Sequence, residues 1–310
     1  MTPEAETVAV VGVGAIGGVC AASLVAAGRR VLCCVRTPFT DLVLESRAGV
    51  QRFAVEVVRD AAGLRPAPWV LLATKAHETE SAAPWLAALL GPGSRLAVLQ
   101  NGVEHVERLT RWSDRARIVP VVVACPATPL GPGHVLLRGS ARLTVPDDEG
   151  GSGFADLFAG SAVTVERTPD WRTAAWRKLV SNVTGGALAA LAGAPVAEVR
   201  HPLLPALALG LAVECATVAR AEGADVPDGF AATVAADCLG APPTSVPSTL
   251  TDRRRGRPLE VDARNGAVVR IGARHGIPVA LNTRAAELLA TAHLHPTTDL
   301  LPRLAEVLPT

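Results

Sequence analysis

Residues 7–18, TVAVVGVGAIGG, constrain the fold of this chain more than any other stretch. Val8, Ala9, Val10 and Val11 form a short apolar run of the kind that fills a strand covered on both faces. Gly12-Val13-Gly14-Ala15-Ile16-Gly17 follows at once, and residues 18–27 continue in small and aliphatic residues that read as a helix. A strand, a G-x-G-x-x-G turn and a helix are what the pyrophosphate of a dinucleotide needs. Gly12 permits the tight turn, Gly14 lets the backbone approach the phosphates, and Gly17 lets helix and strand pack closely. Ala15 and Ile16 open the helix, whose free N–H groups and positive dipole end face the anion.

A chain of 310 residues exceeds one ordinary core and divides, on this reading, into residues 1–169 and 170–310. The first part reads as an α/β Rossmann domain. Residues 29–35 (RRVLCCV) form its second strand and end at Arg36, where an NAD-preferring unit places an acid for the ribose 2′-hydroxyl. No acid follows until Asp41, and an arginine fork suits a 2′-phosphate, so the expected cofactor is NADPH. Residues 68–74 run as a third strand into Lys75, and residues 96–99 as a fourth into Gln100-Asn101-Gly102. Ligands bind at the carboxyl ends of such strands, which makes Lys75 and Asn101 candidate cofactor contacts. Residues 118–124 and 141–145 are expected to extend the sheet. Residues 147–153 (DDEGGSG) read as a polar surface loop, 154–158 as a short helix and 162–166 as a last strand before the hinge at Thr168-Pro169.

Beyond Asp170 strand signals nearly vanish. Residues 171–191, 203–222, 229–239, 260–275 and 285–292 are alanine-rich with helical periodicity, so the second domain is expected to be all helical. A net charge of +1 gives no electrostatic case for nucleic acid. The basic run Arg253-Arg254-Arg255-Gly256-Arg257 reads as a solvated helix start. The nearest approach to a membrane span, residues 202–213, is short and contains Pro205 and Gly210. The opening MTPEAETV has no basic region followed by an apolar core, and the six cysteines show no C-x-x-C spacing. A cytoplasmic protein with reduced thiols, no metal and no membrane partner is the expectation. The alanine- and leucine-rich helices favour a homodimer. Tyrosine is absent, which excludes Tyr-based acid catalysis.

Lys178, Asn182 and Gly186 are four residues apart and share one face of the helix at 171–191. A lysine there can donate a proton and stabilise the charge that develops on a carbonyl oxygen as hydride reaches its carbon. On the motifs GVGAIG at 12–17, TK at 74–75, QNG at 100–102, WRKLVSN at 176–182, STLTD at 248–252, LEVDARNG at 259–266 and HGIPVALNT at 275–283, the chain resembles the ketopantoate reductase family. That resemblance implies a Rossmann domain, a helical C-terminal domain and NADPH-dependent reduction of a small-molecule 2-oxo acid to a 2-hydroxy acid. It implies that Lys178 is the proton donor, that Asn182 and Ser248 contact substrate, and that Glu260 lies near the nicotinamide ribose and the lysine. It also makes Arg36, Lys75 and Asn101 cofactor contacts. Read from the residues alone, Glu260 has a second explanation, as the acid that complements its helix N-terminus. Gly186 stands where the family usually carries a second substrate-binding asparagine, and residues 193–196 (GAPV) replace another polar contact. Such a loss is expected to empty volume in the pocket and to suit a bulkier or less polar substrate, another carbonyl or an imine. A catalytically silent nucleotide-binding protein is the remaining alternative.

Overall fold

The computed structural model describes residues 7–308. The opening MTPEAE, read above for a leader, lies outside the described residues. The chain falls into two compact units. One holds the residues up to Gln100 together with Glu104–Trp171, and the other holds Asn101–Val103 together with the residues from Arg172 onward.

Among the described residues, thirteen strands of the first unit form three sheets. In chain order they are β1 (Thr7–Val11), β2 (Arg30–Cys34), β3 (Asp41–Ser46), β4 (Gly49–Ala54), β5 (Glu56–Val58), β6 (Trp69–Leu72) and β7 (Arg95–Val98). Then follow β8 (Ile118–Pro120), β9 (Val122–Ala124), β10 (Ala127–Gly131), β11 (His134–Leu137), β12 (Ala141–Pro146) and β13 (Val163–Thr168). The helices are α1 (Ala15–Ala26), α2 (Ala83–Leu89), α3 (His105–Leu109) and α4 (Glu149–Leu157). The main sheet has the order β5-β2-β1-β6-β7-β8 and is parallel throughout. Its growth changes direction at β1, flanked by β2 and β6, so the glycine turn sits at the point where such a sheet binds ligands. Val8, Ala9 and Val10 are wholly buried, as a strand covered on both faces requires.

Three expectations for this unit need correction. Of residues 118–124 only β8 joins the main sheet, as an edge strand, a place that suits Pro120 with its missing N–H. Residues 141–146 belong instead to a separate sheet of order β13-β12-β9. A third sheet, β10-β11-β3-β4, takes up residues 41–54, where no strand is expected above. The DDEGGSG segment is not a loop but the start of α4. Asp148 caps it, accepting from the Gly151 N–H at 2.8 Å. A Cβ at Gly151 would lie 1.8 Å from the Pro146 carbonyl oxygen, so the glycines that suggested flexibility instead permit close packing.

The second unit is helical: α5 (Trp171–Ser181), α6 (Ala187–Ala192), α7 (Leu204–Ala221), α8 (Phe230–Leu239), α9 (Ser248–Arg254), α10 (Asn265–Arg274), α11 (Ala280–Ala292) and α12 (Leu301–Ala305). The continuous helix expected over 171–191 is interrupted between α5 and α6 by a π-turn over Asn182–Gly186. A wide turn frees backbone carbonyls. Here the Thr184 hydroxyl donates to the Val180 oxygen at 2.8 Å, and the Asn265 amide donates to the Val183 oxygen at 3.5 Å. Asn265 also donates to Asn282 Oδ1 at 3.0 Å. Glu214 of α7 accepts from the backbone N–H groups of Leu281 and Asn282. The asparagines of LEVDARNG and HGIPVALNT are therefore a buried relay that locks α7, α10 and α11 to the π-turn.

α7 is longer than the 202–213 run marked from sequence, and it is the one helix among the described residues long and apolar enough to cross a membrane. Half of its window is buried inside the protein, and Glu214 is committed to the start of α11. This is the packing of a core helix. The basic run was misread: Arg253 lies at the end of α9, not at a helix start, and is completely buried.

Candidate active site

In the first unit the glycine turn has the geometry a dinucleotide requires. Gly12 adopts φ +91°, and a Cβ there would meet Thr74 at 2.8 Å. At Gly17 a Cβ would lie 1.9 Å from the Gly12 carbonyl oxygen. Gly14, which precedes α1, faces open space with nothing within 4 Å. The fixed glycines thus hold strand and helix together while the third leaves the approach to the α1 N-terminus clear, with Ala15 and Ile16 in its first turn. These features fit a dinucleotide phosphate.

Lys75 follows β6 in the same unit. Gln100, at the end of β7, donates to the Thr74 hydroxyl at 3.1 Å and to the Thr79 hydroxyl at 2.9 Å, so the two strand ends are tied to one another. His105 is buried and its Nε2 lies 2.8 Å from the Gln100 oxygen. Desolvation holds this imidazole down to about 4, which keeps it neutral as a strut for the strand end. Arg36 is mostly exposed but not alone: its Nη2 donates to Glu78 Oε1 at 2.7 Å. Glu78 Oε2 also accepts from the Lys75 N–H at 3.4 Å. An acid does stand beside Arg36, brought from 42 positions away, where inspection of the neighbouring sequence could not find it.

The second unit gathers the remaining candidates. Asn101 donates to Glu260 Oε2 at 2.9 Å, and Asn182 donates to Asn101 Oδ1 at 3.4 Å. Gly102 has φ +118°, and a Cβ there would meet the Ala263 carbonyl oxygen at 2.9 Å, which explains the glycine of QNG. Glu260 is buried and precedes α10 by five positions. It does not complement that helix's N-terminus. Instead it accepts from Asn101 and from Arg264 Nη2 at 3.3 Å. Lys178 sits one turn before the π-turn. Burial, and then the positive charge of Arg264, lower its pKa below the ordinary lysine value of 10.5.

Arg264 is the residue sequence reasoning missed. It is buried, donates to Thr249 Oγ1 at 2.7 Å and to Ser248 Oγ at 3.2 Å, and pairs with Glu260. It lines a pocket with Asn182, Thr249, Glu260 and Asn265. A Cβ on Gly186 would lie 3.2 Å from Thr249 Oγ1 and 3.3 Å from Arg264 Nη1. The space expected to be empty at Gly186 is therefore occupied by a guanidinium and a hydroxyl, and the wall is polar and charged. The signal was present in LEVDARNG, where Glu260 and Arg264 are four apart. Among the described residues no cluster of three or more His, Cys, Asp or Glu could hold a metal ion.

A parallel sheet with a glycine turn shaped for a phosphate, together with a helical unit carrying a desolvated lysine, a buried acid and paired asparagines, defines the class: a dinucleotide-binding oxidoreductase. Two family descriptions match in order, "Ketopantoate reductase PanE/ApbA" over residues 8–150 and "Ketopantoate reductase PanE/ApbA C terminal" over residues 170–293. The chain belongs to the ketopantoate reductase family. It is 40% identical over 289 residues to the 2-dehydropantoate 2-reductase of Caulobacter vibrioides, covering 93% of this chain and 99% of that one. With the 2-dehydropantoate 2-reductase of Mycobacterium tuberculosis it shares 39% identity over 293 residues, 93% of this chain and 98% of that one. The crystal structure of a PanE/ApbA family ketopantoate reductase from Ralstonia eutropha superposes with a TM-score of 0.84 at 31% identity, covering 94% of this chain and all of that one.

Proposed function

We propose that this enzyme reduces a 2-oxo acid, ketopantoate first among them, to the 2-hydroxy acid with NADPH. The observation that carries the reading is the desolvated lysine at the head of a π-turn, within one cluster that also holds Asn182, Asn101 and Glu260. When bound, the reduced nicotinamide supplies hydride to the carbonyl carbon. Lys178 supplies the proton to the carbonyl oxygen, and its charge stabilises the oxygen as negative charge develops there. Glu260 offsets the positive charge of the cluster, and Asn182 and Ser248 orient the substrate beside the polar wall that Arg264 and Thr249 form at Gly186. Gly12, Gly14, Ala15, Ile16 and Gly17 hold the pyrophosphate, and Arg36, Lys75 and Asn101 hold the rest of the nucleotide.

Following the loss of NADPH absorbance with ketopantoate and with a panel of 2-oxo acids tests the reading. Consumption with ketopantoate supports it, consumption only with another 2-oxo acid changes the substrate, and none with any overturns it. NADPH supply and the free thiols suit the cytoplasm. Leu209 and Val213, apolar and more than 40% exposed on one face of α7, support a homodimer.

Arg36 and Glu78 give the cofactor preference a specific test. Arg36→Ala is expected to weaken NADPH about 10- to 150-fold more than NADH, the worth of a lost charge-assisted hydrogen bond. Glu78→Gln removes the carboxylate competing for the same guanidinium and is expected to tighten NADPH relative to NADH. Nucleotide titration by fluorescence measures both, and equal effects on the two cofactors would contradict a 2′-phosphate at Arg36.

A further inference from the structure

We propose that Arg264 binds the substrate's carboxylate and makes this enzyme selective for anionic substrates, replacing the side chain missing at Gly186. The inference rests on the 2-oxo acid reading above and assigns a specificity residue to that same site.

Three observations carry it. The guanidinium is buried, yet its Nε has no hydrogen-bond partner, and a buried unpaired N–H is costly unless something else satisfies it. The same guanidinium lines the pocket that Asn182 also lines, and it touches Ser248. The local charge is unbalanced: Lys178 and Arg264 contribute two cations against the Glu260 carboxylate, so the cluster retains one positive charge for an incoming anion. Gly186 is what admits this arrangement. A side chain there would press on both Arg264 Nη1 and Thr249 Oγ1, so with an asparagine at 186 both groups would have to give way. An asparagine offers a neutral donor, whereas an arginine offers a planar fork matched to a carboxylate. A neutral ketone or imine would leave the Nε–H of that guanidinium without an anionic partner, which disfavours the less polar substrates a glycine alone would suggest.

The test compares ketopantoate with its neutral methyl ester in the wild type and in three variants, with NADPH affinity and thermal unfolding recorded for each. Arg264→Met is expected to raise KM for the acid about 10- to 100-fold more than KM for the ester and to leave NADPH affinity intact. Arg264→Lys keeps a charge for Glu260, so it guards against a variant that fails to fold. It is expected to raise KM for the acid about tenfold, since the bidentate fork is lost. Gly186→Ala leaves every polar group in place but displaces the guanidinium, and the same acid-selective rise is expected, smaller in size. Equal losses for acid and ester, or no change in KM for the acid in Arg264→Lys, would overturn the role of Arg264 while the reductase reading stood. Absence of NADPH consumption by the wild type with either compound would overturn the reductase reading and this inference together.

Discussion

Lys178→Ala is expected to lower turnover about 10²- to 10⁴-fold, the usual worth of a positioned general acid, while NADPH affinity stays unchanged. Steady-state rates and nucleotide titration check it, and near-normal turnover would remove Lys178 from the chemistry. The same residue makes a pH prediction whose sign follows from its surroundings. Burial first, and Arg264 second, lower the pKa of the amine, so the protonated form is lost at a lower pH than for an exposed lysine. Reduction therefore declines on the alkaline side at a pH below 10.5, and Arg264→Met moves that limb upward. A depressed lysine pKa also means that the unfolded chain binds more protons than the native one between the native pKa and 10.5, so holding this amine charged in the folded protein costs stability at every pH below that window. Lys178→Met is accordingly expected to raise the melting temperature as it abolishes turnover. A lysine placed for structure alone would do the reverse.

The second large effect concerns stability. Arg253 is 0% exposed and donates to five backbone carbonyls, those of Ala190, Leu191, Ala292, His295 and Thr298. Those oxygens lie at the ends of α6 and α11 and in the segment leading to α12, where helix carbonyls have no partner of their own. One guanidinium satisfies them together, and the positive charge favours the negative ends of both helices. Arg253→Met keeps the volume and removes every donor. It is expected to destabilise the protein by about 3–5 kcal/mol, the scale for stripping a buried charged group from its partners. Urea denaturation measures the loss, and a change below about 1 kcal/mol would show that water replaces the side chain at these sites.

Arg253 also shows where sequence reading stops. Four arginines among five residues look like a solvated face, and nothing local marks the first of them as the one that turns inward. Its acceptors come from segments 39 to 63 positions away. Glu78 beside Arg36 is the same kind of case. What was legible was local: the glycine turn, the strand–helix alternation around it, and the helical periodicity after Asp170 each follow from neighbours within a few residues. The strands over 41–54 were not: the buried run of β3 is only Leu42-Val43-Leu44, and β4 is mostly exposed and held by pairing within a small separate sheet. The buried pairing at Glu260 lay between these extremes. LEVDARNG was marked for its acid, and the arginine one helical turn on, which fills the space at Gly186, was passed over.

The five-residue coil at 182–186 sets the angular phase between two helices of one chain. Upstream, α5 turns Lys178 toward Arg264. Downstream, residues 187–191 of α6 are all buried, in the core built by α7 and α11. An ordinary helix advances about 100° per residue and the wider π-turn less, so the turn absorbs one extra residue; winding all five residues as α-helix would swing one segment against the other by roughly one residue's angle. The amine would rotate off its face and an aliphatic neighbour, Leu179 or Val180, would take its place. The surplus residue acts as a rotational spacer, and its length matters as much as the identity of any side chain it carries.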